Sequence, residues 1–137
     1  LTSKGIEFTE IAITNSSEVQ QAAQQLSSEC DAIFIPNDAV IQSAMPVVAA
    51  AAKDAGIPVY GSSAVMVQDG AFATIAISDT EIGAIRADMA IEILNGKTPA
   101  EIPVIEVPGT ETVINKTTMD AIGIIIEDTE GITFVEN

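Results

Sequence analysis

The sequence predicts the α/β class with a mainly parallel sheet, on three observations. Short apolar runs suited to buried strands alternate with longer stretches of helical periodicity from residue 6 to residue 96. Two of those runs, 31–36 and 57–60, flank a long apolar helix pattern, the crossover that parallel pairing requires. Both runs stop abruptly in small polar residues, Asn37-Asp38 and Gly61-Ser62-Ser63. In open α/β sheets, ligands bind at the carboxyl ends of the strands.

In order, residues 1–5 read as the last turn of a helix, with Lys4 near its end and Gly5 at C′. A chain opening inside a helix, with Leu rather than Met, is expected to be a piece of a longer one. Ile6 to Ile13 alternates and then runs apolar, the pattern of a strand. Asn15 and Glu18 have capping-box spacing, and Val19, Ala22, Ala23 and Leu26 continue as one helical stripe. The second helix starts after Asp38 and closes at Gly56. Pro46 in its interior predicts a kink or break near Ser43 to Met45. Ala64 to Gln68 reads as one short helical turn and Asp69-Gly70 as a turn before a strand over 71–77. Ser78 and Glu81 form a second capping box, opening an amphipathic helix that Asn95-Gly96 ends.

Beyond Gly96 the character changes. Pro99, Pro103, Pro108 and Gly109 punctuate a connector with one extended stretch, 102–107. A strand over 112–115, a short helix over 116–122 and brief strands at 124–126 and 132–135 follow. These apolar segments have no obvious partner within the first 96 residues.

Composition narrows the chemistry. The 137 residues suffice for one compact domain, and the absence of Trp predicts an aliphatic core. Twenty acidic against five basic residues give a net charge of −15, a field that repels nucleic acid and anionic membranes. With no His and one Cys, neither the usual zinc sites nor Ser-His-Asp or Cys-His arrangements can be assembled. Cys30 reads as a small buried hydrophobe at a strand entrance. No uninterrupted apolar stretch of about 18 residues exists to span a bilayer.

The candidate site residues are Asn37, Asp38, Ser62, Ser63, Ser78 and Asp79, all at strand ends. Each has a plainer role: Asp38, Ser78 and Asp79 as helix caps, Asn37 as turn chemistry, the serines as loop residues. As contacts, Asp38 would hold an ammonium or hydroxyl. Ser62 and Ser63 would offer hydroxyls and backbone N–H groups to a carboxylate. A small zwitterion or polyol suits that mixture. No G-x-G-x-x-G, Walker loop or G-x-S-x-G elbow is present, and residues 127–130 lack a calcium-loop pattern.

In combination, IFIPND (33–38), GIPVYGSS (56–63), DGAFATIAISDTEIG (69–83) and AIEILNGKTPAEIPV (90–104) resemble type I periplasmic substrate-binding proteins of ABC transporters. The lipoprotein-type amino-acid binders are the nearest subgroup, and the resemblance covers most of residues 5–115. It implies a Rossmann-like three-layer lobe, the second of two that close over ligand like a hinged clamp. Residues 1–103 would be that lobe, lacking its first strand, which belongs between 6–13 and 31–36. Residues 104–137 would be a crossover and tail returning to the first lobe. By position, Asn37 and Asp38, Ser62 and Ser63, and Ser78 with Asp79 would be cleft contacts. Ala39 stands where the subgroup has Asn, and Asp79-Thr80 replace its aromatic pair, which points to a ligand smaller or more polar than an aromatic amino acid.

The resemblance further implies an extracytoplasmic solute-binding component of an importer, periplasmic or lipid-anchored, delivering an amino-acid-like ligand to a permease. No catalysis, cofactor or metal is expected. The open strand edges are expected to pair with another chain, as in a dimer, or to be covered by rearrangement of the tail. The alternative is the ligand-sensing domain of a bacterial transcription regulator of the same fold. A third reading, an enzyme or phosphoacceptor domain using Asp38, lacks a second acidic cluster or partnering Lys.

Overall fold

The computed structural model describes residues 2–109 and 111–136. Five strands, β1 (Ile33–Phe34), β2 (Val59–Tyr60), β3 (Ala73–Ala76), β4 (Glu111–Asn115) and β5 (Ile132–Val135), form one sheet in the order β1-β2-β3-β4-β5. Pairing is parallel except between β3 and β4, which run antiparallel with Ala73 opposite Ile114. The α/β class and the mainly parallel sheet are therefore as the alternation predicts.

One face of the sheet carries the main core. Helices α1 (Val19–Glu29), α3 (Met45–Ala55) and α4 (Ala64–Gln68) bury Val19, Ala23, Met45, Val48, Ala52, Met66 and Val67 against Ile33, Ile35, Val59 and Val113. Strand alternation sends Ile114 to the opposite face. There, with Phe72 and Ala73, it packs under Met119, Ile122, Ile124, Ile126 and Ile132, beside the short α6 (Lys116–Ala121). That second face is covered only in part: Phe34 and Ile75 are 68% and 71% exposed.

Local chemistry sets the helix ends. Asp38 caps the five-residue α2 (Ala39–Ser43), and the helix breaks at Ala44 before resuming as α3, with Pro46 in its first turn. Proline is tolerated there because first-turn N–H groups have no intrahelical partner. Gly56 ends α3 at φ 73°, a left-handed backbone that costs glycine nothing. At the first helix, Asn15 accepts from Ser17 N–H, while the Glu18 carboxylate reaches back to the Thr14 N–H at 2.8 Å. That hydrogen bond holds the Glu18 carboxyl below its usual pKa.

Several expectations need correction. Residues 6–13 form no strand: Ile6 and Phe8 are 51% and 61% exposed, and no neighbouring strand supplies a ladder. Residues 124–126 are likewise irregular: Ile124 and Ile126 pack on the second face, and the Ile124 N–H donates to Met119 O at 3.1 Å, with no strand ladder. Cys30 is half-exposed rather than buried, because it sits at the C-cap of α1 outside the strand. The tail does have partners in the first 96 residues, since β4 pairs with the whole of β3. The helix after Ser78, α5 (Asp79–Leu94), buries no residue at all.

Thr74 in β3 is buried, and its hydroxyl has no hydrogen-bond partner among the described residues. Thr74→Val is expected to raise stability by about 1 kcal/mol, since it removes an unpaired polar group from the interior. A fall in the urea midpoint would contradict this account.

Candidate functional site

The three neighbouring parallel strands β1, β2 and β3 point the same way, so all three deliver their carboxyl ends to one edge of the sheet. Phe34 stands opposite Tyr60, and Tyr60 opposite Ala73. The next residues of each strand carry Asn37 and Asp38, Ser62 and Ser63, and Ser78 and Asp79 to that shared edge. The topology thus groups all six residues on one side of the sheet.

Asp38 is exposed and caps α2: Val40 N–H and Ile41 N–H both donate to Oδ1, at 2.8 and 3.1 Å. Oδ2 makes no hydrogen bond among the described residues, so capping and ligand contact are compatible in one carboxylate. Ser63 caps α4, its hydroxyl accepting from Met66 N–H at 3.4 Å. Ser62 Oγ lies 3.7 Å from Met66 Sδ, a weak acceptor. Ser78 caps α5 through Glu81 N–H at 3.3 Å. Since both capping serines accept, their O–H groups remain free to donate elsewhere. Asn37 and Asp79 are exposed, and their side chains make no hydrogen bond among the described residues. The plainer capping roles of Asp38, Ser63 and Ser78 are real, and they orient these side chains. The anion-favouring field expected at Ser62 and Ser63 comes from a helix of only five residues.

A shallow cavity of about 440 Å³ opens beside these strand ends, lined by Phe34, Tyr60, Gly61, Ser62, Thr74 and Ile75. Tyr60 is held edge-on against Phe72 with ring centroids 5.7 Å apart. Sequence reasoning passed over Phe34 and Tyr60, although period-2 alternation in their strands, with Ile33, Ile35 and Val59 inward, turns both outward. Gly61 is required where it stands: a Cβ there would lie 2.8 Å from Met66 Cβ.

The chemistry on offer is recognition. The edge provides one open carboxylate oxygen, donating hydroxyls and aromatic surface. Among the described residues no group of three or more His, Cys, Asp or Glu is placed to hold a metal ion. No helix of the described residues is long and apolar enough to cross a membrane.

Comparison with known proteins agrees with this geometry. A family model described as ABC transporter substrate binding protein matches residues 1–131. A tyrosine-binding protein of Clostridioides difficile (strain R20291) is 34% identical over 131 residues, 96% of this chain and 38% of that protein. Three solved structures are similar. The ligand-free, open structure of a substrate binding protein with adhesive properties from Clostridium difficile has a TM-score of 0.82 at 30% identity. A conserved domain protein from Vibrio cholerae O1 biovar eltor superposes with a TM-score of 0.85 at 31% identity. An ABC domain in complex with L-Trp from Streptococcus pneumonia gives 0.84 at 27% identity. The chain is covered over 98–99% of its length but accounts for only 46% of each solved chain. It spans less than half the length of the relatives it matches.

Proposed function

Because the chain belongs to the ABC transporter substrate-binding protein family, we propose that it supplies one wall of an amino-acid-binding cleft in an extracytoplasmic importer component. The supporting observation is the convergence of the β1, β2 and β3 ends, which gathers Asn37, Asp38, Ser62, Ser63, Ser78 and Asp79 at one edge. On this reading the free Oδ2 of Asp38 takes the ligand's ammonium, and the serine hydroxyls donate to polar groups beside it. The names of the matched relatives, one tyrosine-binding and one holding L-Trp, favour an amino acid as the ligand class. Phe34 and Tyr60 offer apolar surface beside the polar edge, where a ligand side chain would lie. The role involves no catalysis: the protein would hold its ligand until a membrane permease takes it.

A cleft closed from both sides buries most of a small ligand's surface, whereas one wall leaves it largely wet. The full-length protein is therefore the material for the test. Asp38→Asn keeps the helix cap, since Asn caps as well as Asp, but removes the charge. Titration of the full-length protein with amino acids should show at least a roughly tenfold loss of affinity, the scale of one lost charge-assisted hydrogen bond. Unchanged affinity in Asp38→Asn would remove Asp38 from the site.

A further inference from the structure

Asn95-Gly96, the turn that closes α5, carries a chemistry that ligand binding does not use. Asn95 is exposed, and its side-chain amide makes no hydrogen bond among the described residues. Gly96 follows at φ 102°, and a Cβ built on it would meet nothing within 4 Å. The backbone nitrogen next to the Asn95 amide thus carries no side chain on its own residue, and that side of the turn is open.

The other described asparagines lack this combination. Asn115 is fully buried, with both amide atoms hydrogen-bonded at 2.8 and 2.9 Å. Asn15 is tied to Thr14, Ser17 and Glu18 in its cap. Asn37 is free, but the residue after it is Asp38, whose side chain hinders approach of the backbone nitrogen. Asp69-Gly70 has the glycine, yet Gly70 is packed: a Cβ on it would lie 2.9 Å from Ala49 Cβ.

We propose that Asn95 is a self-modification site, converting to aspartate and isoaspartate at a rate set by opening of the last turn of α5. The Gly96 nitrogen gives its proton to solvent base and attacks Asn95 Cγ. The bond from Cγ to the side-chain nitrogen breaks, ammonia leaves, and a cyclic imide joins side chain to backbone. Water then adds to one imide carbonyl and that carbonyl's C–N bond breaks. Opening at the side-chain carbonyl leaves aspartate; opening at the backbone carbonyl leaves isoaspartate. Net, water enters and ammonia departs, with no change of oxidation state.

In the folded chain the attacking nitrogen is engaged. Gly96 N–H donates to Ile93 O at 3.0 Å, and Lys97 N–H donates to Glu92 O at 3.1 Å. Lys97 Nζ adds a 2.8 Å ion pair with the Glu92 carboxylate. The reaction waits for this end to open, and helix ends fray at little cost. Its product puts a carboxylate at the C-terminus of a 16-residue helix, where the dipole favours cations. Isoaspartate also lengthens the backbone within the turn, so the modification loosens the structure that held it back.

Full-length protein kept in warm, mildly alkaline buffer, digested at intervals and mapped by mass spectrometry, tests this. The peptide carrying Asn95 should exchange ammonia for water about tenfold or more faster than those carrying Asn15, Asn37 or Asn115, because only glycine leaves the nitrogen unhindered. An isoaspartate-specific methyltransferase should label the same peptide. In denaturing urea the conversion should run about threefold or more faster than in native protein, since the turn is then always open. Asn95→Gln should remove the label, because its longer side chain closes the ring far less readily. Conversion at Asn95 no faster than at Asn37 would overturn the proposal. Equal rates in native protein and in urea would overturn it too, since the folded turn would then set nothing.

Discussion

Asn115→Ala is expected to lower the stability of the domain by about 2–4 kcal/mol, an effect usually associated with a large core truncation. Asn115 is fully buried at the end of β4. Its Nδ2 donates to the Val67 carbonyl at 2.8 Å, and its Oδ1 accepts from Thr118 N–H at 2.9 Å. The backbone N–H of the same residue donates to Phe72 O, and Thr118 Oγ1 donates to Gly70 O. These bonds tie the tail to the α4–β3 turn, joining segments 48 residues apart. Alanine would leave the Thr118 N–H without its partner, take one of two donors from the Val67 carbonyl, which the Gly70 N–H also reaches at 3.1 Å, and leave a gap where the amide was. Asn115→Asp should be worse still, since it sets a charged oxygen against the Val67 carbonyl. Urea unfolding measures both variants. A loss below about 1 kcal/mol for Asn115→Ala would show that this network is not what holds the tail.

Met66→Ala should cost about 2–5 kcal/mol, the range for a buried long side chain cut back to a methyl group. Met66 is wholly inaccessible, and it lies under Gly61, where β2 turns into the candidate site. Gly61→Ala presses on the same contact from the other side. Its new Cβ would meet Met66 Cβ at 2.8 Å and Sδ at 3.3 Å, forcing α4 away from the strand, an overpacking cost of about 1–3 kcal/mol. Because the two residues touch, the double variant should lose less than the sum of the singles, by about 0.5 kcal/mol or more. The relief is partial, since Cβ of residue 66 stays in place. Strict additivity would mean that the packing between strand end and helix is looser than these distances imply.

The features legible in the sequence are the ones whose causes are local. Asp38, Ser63 and Ser78 bond to amides two or three residues away, so residue type and spacing suffice to locate three helix starts. Pro46 breaks its helix through its own missing N–H. That the six candidate residues share one end of the sheet follows because β1, β2 and β3 are parallel neighbours and so run the same way. The misses are non-local. Residues 6–13 and 124–126 have strand-like patterns, but a strand exists only where another chain segment completes its ladder, and pattern alone does not supply one. The pairing of β4 with β3 joins segments more than thirty residues apart, and its hydrophobic pattern resembles any other short apolar run. Asn115 reads as a turn residue closing a strand; only the folded chain puts Val67 within reach of its amide. α5 has the bounds its caps predict, yet it buries no residue, since periodicity tells which stripe seeks cover, not where that cover comes from.

The interruption at Ala44 divides one long helix into a short outer segment and a long inner one. α3 anchors Met45, Val48 and Ala52 in the core, whereas α2, capped by Asp38, has no fully buried residue and touches the core through the half-buried Ile41. Pro46 has no N–H to offer Gln42, so one rung between the two segments is missing. The Asp38 turn is therefore joined to the inner segment by one hydrogen bond fewer than a continuous helix would provide, and Ile41 supplies its apolar contact with the core. Replacements at the exposed Ala39, Val40 and Ser43 should therefore weigh little on the fold, whereas Asp38, which caps the turn, and Ile41, which leans on the core, should not be so freely exchanged.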